Sequence, residues 1–344
     1  MKKINIVCFR GYFGQSLPTP QSLDVDMLAQ HFSTYGYETA ICDLEVLANE
    51  GIEADSYYLF GSHQNPDIKA YYNDVVSCLF AESNRCIPAM QYILAHENKG
   101  VQSLLNERFK LGMPKQIYKL VHASDPFTYN NRVHKLISGS GSSGVFLPAT
   151  EQDYFSKIRA GIKENISLIE LIFNLKLWIK HLISKITEQK YLAFSSYYRK
   201  FLRIVIQDKL DSVGYDYKVL VFGEKCFVLK RNVRPNDFRS SGSGLFEFVE
   251  VPPSLLDFAL AFKKKLVVPY VSLDIMDIAG KSGEYACIEF QCVHFGPYTK
   301  YNAPFGYEWN DGWTKIANTK SMEEIMAQAT VMHINNENHE NAHV

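Results

Sequence analysis

The fold of this chain is decided by two strand-like segments, Ser272-Leu-Asp-Ile275 and Ile288-Glu-Phe-Gln291, which lie close together in the sequence. Each segment alternates polar with apolar residues, as a β-strand does when its two faces meet different surroundings. A short turn that contains two glycines connects the segments. The pattern therefore predicts a β-hairpin.

Polar oxygen atoms converge on one face of this predicted hairpin. Period-two alternation puts Glu289 and Gln291 on the same face, and pairing across the hairpin brings Asp274 close to Glu289. Two carboxylates and an amide oxygen on otherwise apolar strands repel one another unless a cation lies between them. Hard oxygen ligands of this kind suit Mg²⁺ that bridges phosphate groups. The hairpin is therefore a candidate magnesium site.

Basic residues in the same third of the chain could supply the opposite charge for an anionic ligand. An arginine binds phosphate oxygens through two parallel hydrogen bonds, whereas a lysine acts as a point charge. Each residue alone is more often a solvated surface charge, but together they favour an anion site. The residues are Lys218, Lys230, Arg231 and Arg239.

A glycine–serine loop separates two other strand-like segments. Its letters match G-x-G-x-x-G, but a dinucleotide site needs this loop to open a helix, and here it runs into the apolar segment that begins at Val145. A protein-kinase loop does join two strands, yet no His-Arg-Asp or Asp-Phe-Gly follows. A flap whose backbone N–H groups close over phosphates fits best, and a disordered linker is the alternative. The loop consists of Ser138, Gly139, Ser140, Gly141, Ser142, Ser143 and Gly144.

The first 96 residues alternate short apolar runs with helical patterns, which predicts βαβ units and a small, mostly parallel sheet. Predicted strands cover residues 4–9, 38–44 and 56–61, and predicted helices cover residues 22–35 and 66–80. A loop rich in Gly and Pro, residues 11–20, follows the first strand. Sheets of this type often place ligand groups on such loops, although this one could equally be a plain connection.

Residues 151–200 contain a broad apolar helix face. Polar residues interrupt the run too often for a membrane span. Packing against the protein's own core or against a second copy of the chain is the favoured interpretation, and a helix on a membrane surface is the alternative. The apolar face comprises Leu168, Leu171, Ile172, Leu175, Ile179, Leu182, Ile183 and Ile186.

Composition excludes several classes of function. With 36 Lys and Arg against 37 Asp and Glu, the formal net charge of -1 offers no overall attraction to nucleic acid or to an anionic membrane. The seven cysteines form no Cys-x-x-Cys pair, so buried thiols in a reducing compartment are favoured over disulfides or zinc. The apolar start of the chain is cut short by Arg10, which indicates a first strand without an export signal. We therefore expect a cytoplasmic protein.

The order of these elements resembles the ATP-grasp superfamily, and most of all the branch that contains ribosomal-protein glutamate ligases and glutathione synthetase. Glu97-Asn-Lys99 before a helix is similar to the acid–Lys start of that branch. A strand lysine, Lys135, before the glycine loop is similar to the flexible loop region of the family. The resemblance covers roughly residues 97 to 300.

This resemblance implies an α+β fold in which two α+β lobes enclose ATP, preceded by a βαβ domain. The implied domains are 1–96 for the βαβ domain, 97–200 for the first lobe, 201–332 for the second lobe and 333–344 for a flexible tail. The implied ATP ligands are the loop from Ser138 to Gly144 together with Lys99, Lys135, Gln207, Asp208, Asp216, Lys218 and Arg231. The implied catalytic residues are Lys230 and Arg239, and the implied Mg²⁺ ligands are Asp274, Glu289 and Gln291.

Three positions depart from the family pattern. Lys218 stands where an arginine is usual, Gln291 stands where an asparagine is usual, and His294-Phe-Gly-Pro297 replaces the usual small residues. The longer glutamine keeps a carbonyl ligand but would shift the metal.

The activity implied by the resemblance is ATP-dependent ligation of a carboxylate substrate to an amine substrate through an acyl phosphate, with release of ADP and phosphate. The acid could belong to an amino acid, a peptide terminus or a glycan. Two alternatives are a nucleotide-binding regulatory protein that retains the fold without turnover and a small-molecule kinase.

Overall fold

The computed structural model describes residues 2–18, 20–123, 125–128, 131–139, 144–164, 172, 175–176, 178–179, 182–183, 200–211, 213–235, 237–281 and 283–341. In those ranges, no helix combines the length with the apolar composition that a membrane crossing requires.

The predicted α+β class is confirmed, because βαβ alternation near the N-terminus gives way to antiparallel strands from residue 116 onward. The described helices are α1 Val25–Thr34, α2 Leu44–Glu50, α3 Pro66–Leu79, α4 Met90–Leu94, α5 Lys99–Phe109, α6 Glu151–Glu164, α7 Pro253–Leu266, α8 Tyr298–Asn302 and α9 Met322–Asn341. The described strands are β1 Lys3–Cys8, β2 Glu38–Asp43, β3 Ser56–Phe60, β4 Cys86–Ile87, β5 Gln116–Val121, β6 Arg132–Leu136, β7 Val145–Phe146, β8 Leu202–Asp208, β9 Tyr215–Phe222, β10 Lys225–Asn232, β11 Phe246–Glu247, β12 Tyr270–Asp277, β13 Tyr285–Gln291, β14 Phe305–Trp309 and β15 Trp313–Ala317.

The chain forms two compact units, of which the first contains residues 1–113 and 210–344 and the second contains residues 114–209. In the first unit, a parallel sheet has the strand order β2-β1-β3-β4, as the βαβ pattern predicts. The same unit holds a larger antiparallel sheet, β13-β12-β9-β10-β14-β15, with β11 paired to β10. The sequence pattern did not predict β14 and β15.

Local capping explains where the helices of the parallel sheet begin. The Asp24 side chain accepts hydrogen bonds from the first backbone N–H groups of α1, and Asn65 does the same for α3 with Pro66 at the first helical position. Asp43 caps α2 and also accepts a hydrogen bond of 2.7 Å from the backbone N–H of Arg10. These caps fix the loops at the carboxyl ends of β1 and β3.

The larger sheet has two different faces because its strands alternate with period two. On β9, Tyr217, Val219 and Val221 face the core that α7 covers. Leu220 and Phe222 on the opposite face pack into the core shared with α1 and α9. That second face turns from apolar to charged toward the start of β9.

The second unit is built on a four-stranded antiparallel sheet of order β5-β8-β6-β7. One face of this sheet packs against α6, where Tyr154 and Ile158 are buried with Ile204 and Ile206.

The predicted apolar helix of residues 151–200 is only partly within the described residues. Leu168, Leu171 and Ile186 lie outside them, and the other five members are exposed in the single chain. The expectation was that this face packs on the protein's own core or on a second copy of the chain. The core of the single chain does not cover these five, and packing on a second copy stays a prediction. Helical periodicity identifies an apolar face but does not reveal what covers it. The five exposed residues are Ile172, Leu175, Ile179, Leu182 and Ile183.

The predicted boundary of the tail at residue 333 is too early, because α9 continues to Asn341. Ile334 is fully buried beside Val331, and Asn335 accepts a hydrogen bond of 3.2 Å from the hydroxyl of Tyr37. Packing of Ile334 against the core carries the helix past the predicted boundary.

Replacing Ile334 with alanine should lower the free energy of unfolding by about 2–4 kcal/mol, because a fully buried side chain leaves a cavity. Ile52→Ala is the control, since Ile52 is 37% exposed and its loss should cost about 0.5 kcal/mol or less. Chemical denaturation measures both variants. Equal stabilities would mean that the end of α9 does not contribute to the core.

Candidate active site

Five charged side chains lie together on one face of the larger sheet, and we call them the charged face. Residues directly opposite one another in antiparallel strands project on the same side of the sheet. The register pairs Arg231 with Asp216, Lys218 with Asp274, and Asp274 with Glu289. The predicted approach of Asp274 to Glu289 is confirmed at the level of strand register. The charged face consists of Asp216, Lys218, Arg231, Asp274 and Glu289.

Arg231 holds the charged face together. Its Nε and Nη2 donate to the two carboxylate oxygens of Asp216 at 2.7 and 2.9 Å. The same Nη2 lies 2.9 Å from Oδ2 of Asp274, and the Arg231 side chain is only 6% exposed. Burial alone would lower the pKa of Arg231, but Asp274 and Asp216 outweigh burial and raise it. Arg231 is thus a fixed cation between two acids.

Two lysines complete the charge balance of the site. Nζ of Lys218 lies 3.6 Å from Oδ1 of Asp274, and Nζ of the buried Lys99 lies 3.5 Å from Oε1 of Glu289. The prediction assumed that Asp274 and Glu289 are unpaired and repel each other. That assumption is wrong, because basic residues distant in the sequence reach both carboxylates.

The geometry of Gln291 departs from the predicted role of a metal ligand. Its Oε1 accepts a hydrogen bond of 3.0 Å from the backbone N–H of Glu97 and lies 3.2 Å from Nδ1 of His96. Its Nε2 donates to Oε1 of Glu289 at 3.4 Å. These contacts use both lone pairs of the amide oxygen, so Gln291 connects His96 to Glu289 and does not offer a free carbonyl to a metal.

The remaining predicted metal ligands, Asp274 and Glu289, fit Mg²⁺. Magnesium in nucleotide sites is usually held by one or two carboxylates, with substrate phosphates and water as the other ligands. Among the described residues, no three His, Cys, Asp or Glu side chains form a metal site of their own. The pair therefore suits a metal that arrives with a phosphate ligand.

Lys230 does not belong to the charged face, which corrects its predicted catalytic role. It follows Leu229 and precedes Arg231 on β10, so period-two alternation turns it to the other side of the sheet. There its Nζ lies 3.6 Å from Oε2 of Glu247 and 4.5 Å from the ring centre of Tyr215.

Arg239 lies on the segment after β10, next to the charged face. The neighbouring Ser240 is buried and hydrogen-bonds the carboxylate of Asp216. The guanidinium of Arg239 pairs with Asp237, with 2.8 Å between Nη2 and Oδ2, and this contact lowers the pKa of Asp237 to about 2. Arg239 is therefore held by Asp237 close to the segment that supports Asp216.

The second unit carries the other predicted nucleotide ligands. Lys135 and Gln207 share one face of the β5-β8-β6-β7 sheet, because Val133 pairs with Gln207 in the strand register. Both are buried, at 6% and 4% exposure. Asp208 lies on the opposite face, where its Oδ1 is 3.0 Å from Nη2 of Arg132. Asp208 and Gln207, both implied nucleotide ligands, therefore lie on opposite faces of this sheet.

The glycine loop joins β6 to β7 as predicted. The backbone N–H of Leu136 donates to the carbonyl of Gly144 at 2.8 Å, which closes the antiparallel pair. Gly144 has a φ of +74°, and a Cβ there would lie 2.9 Å from the Leu136 side chain. Only glycine suits this position. Ser138 and Gly139 are described, whereas Ser140, Gly141, Ser142 and Ser143 lie outside the described residues.

Sequence reasoning missed His96, which contacts Gln291. The available signal was its position directly before Glu97-Asn-Lys99, together with the unusual glutamine at position 291. A glutamine reaches further than an asparagine, and here the extra length brings its amide to His96 and Glu97.

The fold of this chain is similar to the folds of several solved structures. No protein-family model and no curated protein matches the sequence. The solved structures that match include the D-cycloserine synthetase DcsG, with a TM-score of 0.51, 12% identity, and coverage of 95% of this chain and 98% of that chain. The macrocyclase MdnC from Microcystis aeruginosa MRC, bound with the precursor peptide MdnA, matches with a TM-score of 0.50 and 11% identity. The match covers 96% of this chain and 99% of that chain. The ATP-grasp ligase PsnB with a minimal precursor matches with a TM-score of 0.50 and 14% identity, and the match covers 96% of this chain and 98% of that chain. This chain therefore has the fold of the ATP-grasp superfamily.

Proposed function

We propose that this protein is an ATP-dependent carboxylate–amine ligase. The observation that carries the proposal is the charged face, on which Arg231 and Lys218 contact Asp274, and Asp274 pairs in the strand register with Glu289. Such a mixture of fixed cations and paired carboxylates suits a magnesium–triphosphate ligand, because cations bind phosphate oxygens and carboxylates bind the metal. The ATP-grasp fold also supports a magnesium–triphosphate ligand.

The reaction that we propose has two steps. First, an oxygen of the acid substrate attacks the γ-phosphorus of ATP, and the bond to the bridging oxygen breaks to release ADP. The amine then attacks the carbonyl carbon of the acyl phosphate, phosphate leaves with the bonding electron pair, and the nitrogen loses a proton. The proposed products are an amide, ADP and phosphate, and we place the acid and amine in a peptide or a surface glycan.

The roles of the protein groups follow from charge and position. Bound Mg²⁺ would neutralise phosphate charge, with Asp274 and Glu289 as its protein ligands. Arg231 is held by its bidentate contact with Asp216, and its Nη2 contacts Asp274 and keeps that carboxylate in place. Lys218 is a second cation beside Asp274, and we propose that Lys135 and the glycine loop bind phosphate oxygens. Catalysis of this kind depends on positioning and charge neutralisation and needs no protein nucleophile.

A second candidate function is nucleotide binding without turnover. It is favoured by the cations that already accompany both carboxylates, since a metal would have to compete with Lys99 and Lys218. Release of ADP in the presence of ATP, Mg²⁺ and panels of acids and amines separates the two candidates. Amide formation with ADP supports the ligase. Pyrophosphate release contradicts the acyl-phosphate route, and a phosphorylated end product indicates a kinase.

Replacing Lys135 with alanine should weaken ATP binding about tenfold or more, because a charge-assisted contact with phosphate contributes roughly 1.5–3 kcal/mol. Lys209→Ala is the matched control, since Lys209 is an exposed lysine of the same unit. Isothermal titration of ATP in the presence of Mg²⁺ measures both variants. An unchanged affinity in a folded Lys135 variant would show that this lysine is not a phosphate ligand.

Replacing Glu289 with glutamine should reduce ADP formation by about 100-fold or more at saturating Mg²⁺, because the variant keeps its shape but loses a charged metal ligand. Thermal stability should not rise, since Glu289 is paired with Lys99 and no repulsion is relieved. Glu247→Gln is the control, because Glu247 pairs with Lys230 at a similar distance but lies away from the charged face. Parent-like turnover in the Glu289 variant would make this residue structural.

A further inference from the structure

A small cavity with both polar and apolar lining residues lies in the first unit, at the carboxyl end of β3. Its volume is about 20 Å³, and Ser62, Lys69, Tyr72 and His96 are among its lining residues. Backbone contact fixes this corner, because the N–H of Ser62 donates to the carbonyl of Phe13 at 2.7 Å. A cavity of this size holds one group about as large as a water molecule.

Three side-chain atoms at this cavity have no hydrogen-bond partner in the protein. They are Oγ of Ser62, the hydroxyl of Tyr72 and Nε2 of His96. Ser62 is 5% exposed and Tyr72 is 2% exposed, so solvent at the surface does not satisfy them. Leaving buried polar atoms unpaired costs free energy, and three such atoms around one cavity indicate a bound polar group.

The contacts of His96 define what this group must offer. Nδ1 of His96 lies 3.2 Å from Oε1 of Gln291, an amide oxygen that can only accept, so Nδ1 carries the proton. In the neutral ring, Nε2 then presents a lone pair to the cavity. Partial burial of the ring lowers the pKa of His96 to about 4, which favours the neutral form. The bound group must therefore donate a hydrogen bond to Nε2.

We propose that this cavity binds the amino head group of the amine substrate, an inference that rests on the proposed ligase function. An amino group is about the size of water and brings two or three N–H donors. The lone pair of His96 and the two hydroxyl oxygens can all accept them. A carboxylate fits less well, because its oxygens would face the lone pair on Nε2.

The position of the cavity agrees with this role. His96 is connected through Gln291 to Glu289 of the charged face, in a continuous series of hydrogen bonds. The nearby cation Lys69 is neutralised by an ion pair with Glu97, so it does not repel a cationic head group strongly. An amine held here is connected through His96 and Gln291 to Glu289, one of the proposed metal ligands.

The test uses methylammonium as the amine probe and acetate as the carboxylate probe, with sodium chloride as the ionic-strength control. Imidazole nitrogen NMR of the full-length protein reports on His96 directly. Titration with methylammonium should shift the Nε2 resonance of His96 in a saturable manner, and acetate should not. No shift with methylammonium would mean that the cavity holds water only, and an equal shift with acetate would also overturn the proposal.

Matched variants separate a binding role from a structural one. Tyr72→Phe and Ser62→Ala should each weaken methylammonium binding about three- to tenfold without lowering the melting temperature, since neither hydroxyl has a protein partner. Tyr58→Phe and Ser56→Ala are the controls, because those buried hydroxyls hydrogen-bond the Glu53 backbone N–H and side chain at 2.7 Å. The controls should lower the melting temperature and leave methylammonium binding unchanged.

This experiment tests the cavity inference independently of the proposed function, because it needs neither ATP nor an acid substrate. ADP formation together with an unmoved Nε2 resonance would overturn the cavity inference and leave the ligase proposal in place. Methylammonium binding without any ADP formation would overturn the ligase proposal, and with it the assignment of the bound group as a substrate.

Discussion

The charged face depends on one interaction, the buried contact of Arg231 with Asp216 and Asp274. A guanidinium with so little exposure is stable only when carboxylates satisfy its charge and its planar array of donors. Three strands, β9, β10 and β12, each contribute one member of this group, so the sheet must keep its register for the charges to balance. Removing Arg231 would leave the buried Asp216 and the partly buried Asp274 without their common partner.

The same sheet explains how a charged site can exist inside a well-packed unit. Strands β9, β10 and β12 carry apolar residues toward α7 on one face, while the other face is apolar only where α1 and α9 cover it. Beyond that cover, the positions are polar and pair with one another across the strands. We infer that this division leaves one end of the sheet available for a phosphate ligand and keeps the rest as core.

Much of the parallel sheet and of the hairpin was predictable, because period-two alternation acts between residues close in sequence. The partners of the acids were not predictable in this way. Lys99 reaches Glu289 from α5, and Lys218 reaches Asp274 from β9, so these pairs depend on tertiary packing across long sequence separations. Neighbouring basic residues also misled the prediction, since Lys230 and Arg231 adjoin in sequence but face opposite sides of β10.

The central claim is that the charged face binds nucleotide phosphates together with Mg²⁺. The most direct measurement is the affinity of the parent protein for ATP by isothermal titration, once with Mg²⁺ and once with a chelator in its place. The account predicts binding at least about tenfold tighter with Mg²⁺, because the metal brings the phosphates to Asp274 and Glu289. Equal affinities under the two conditions would contradict it.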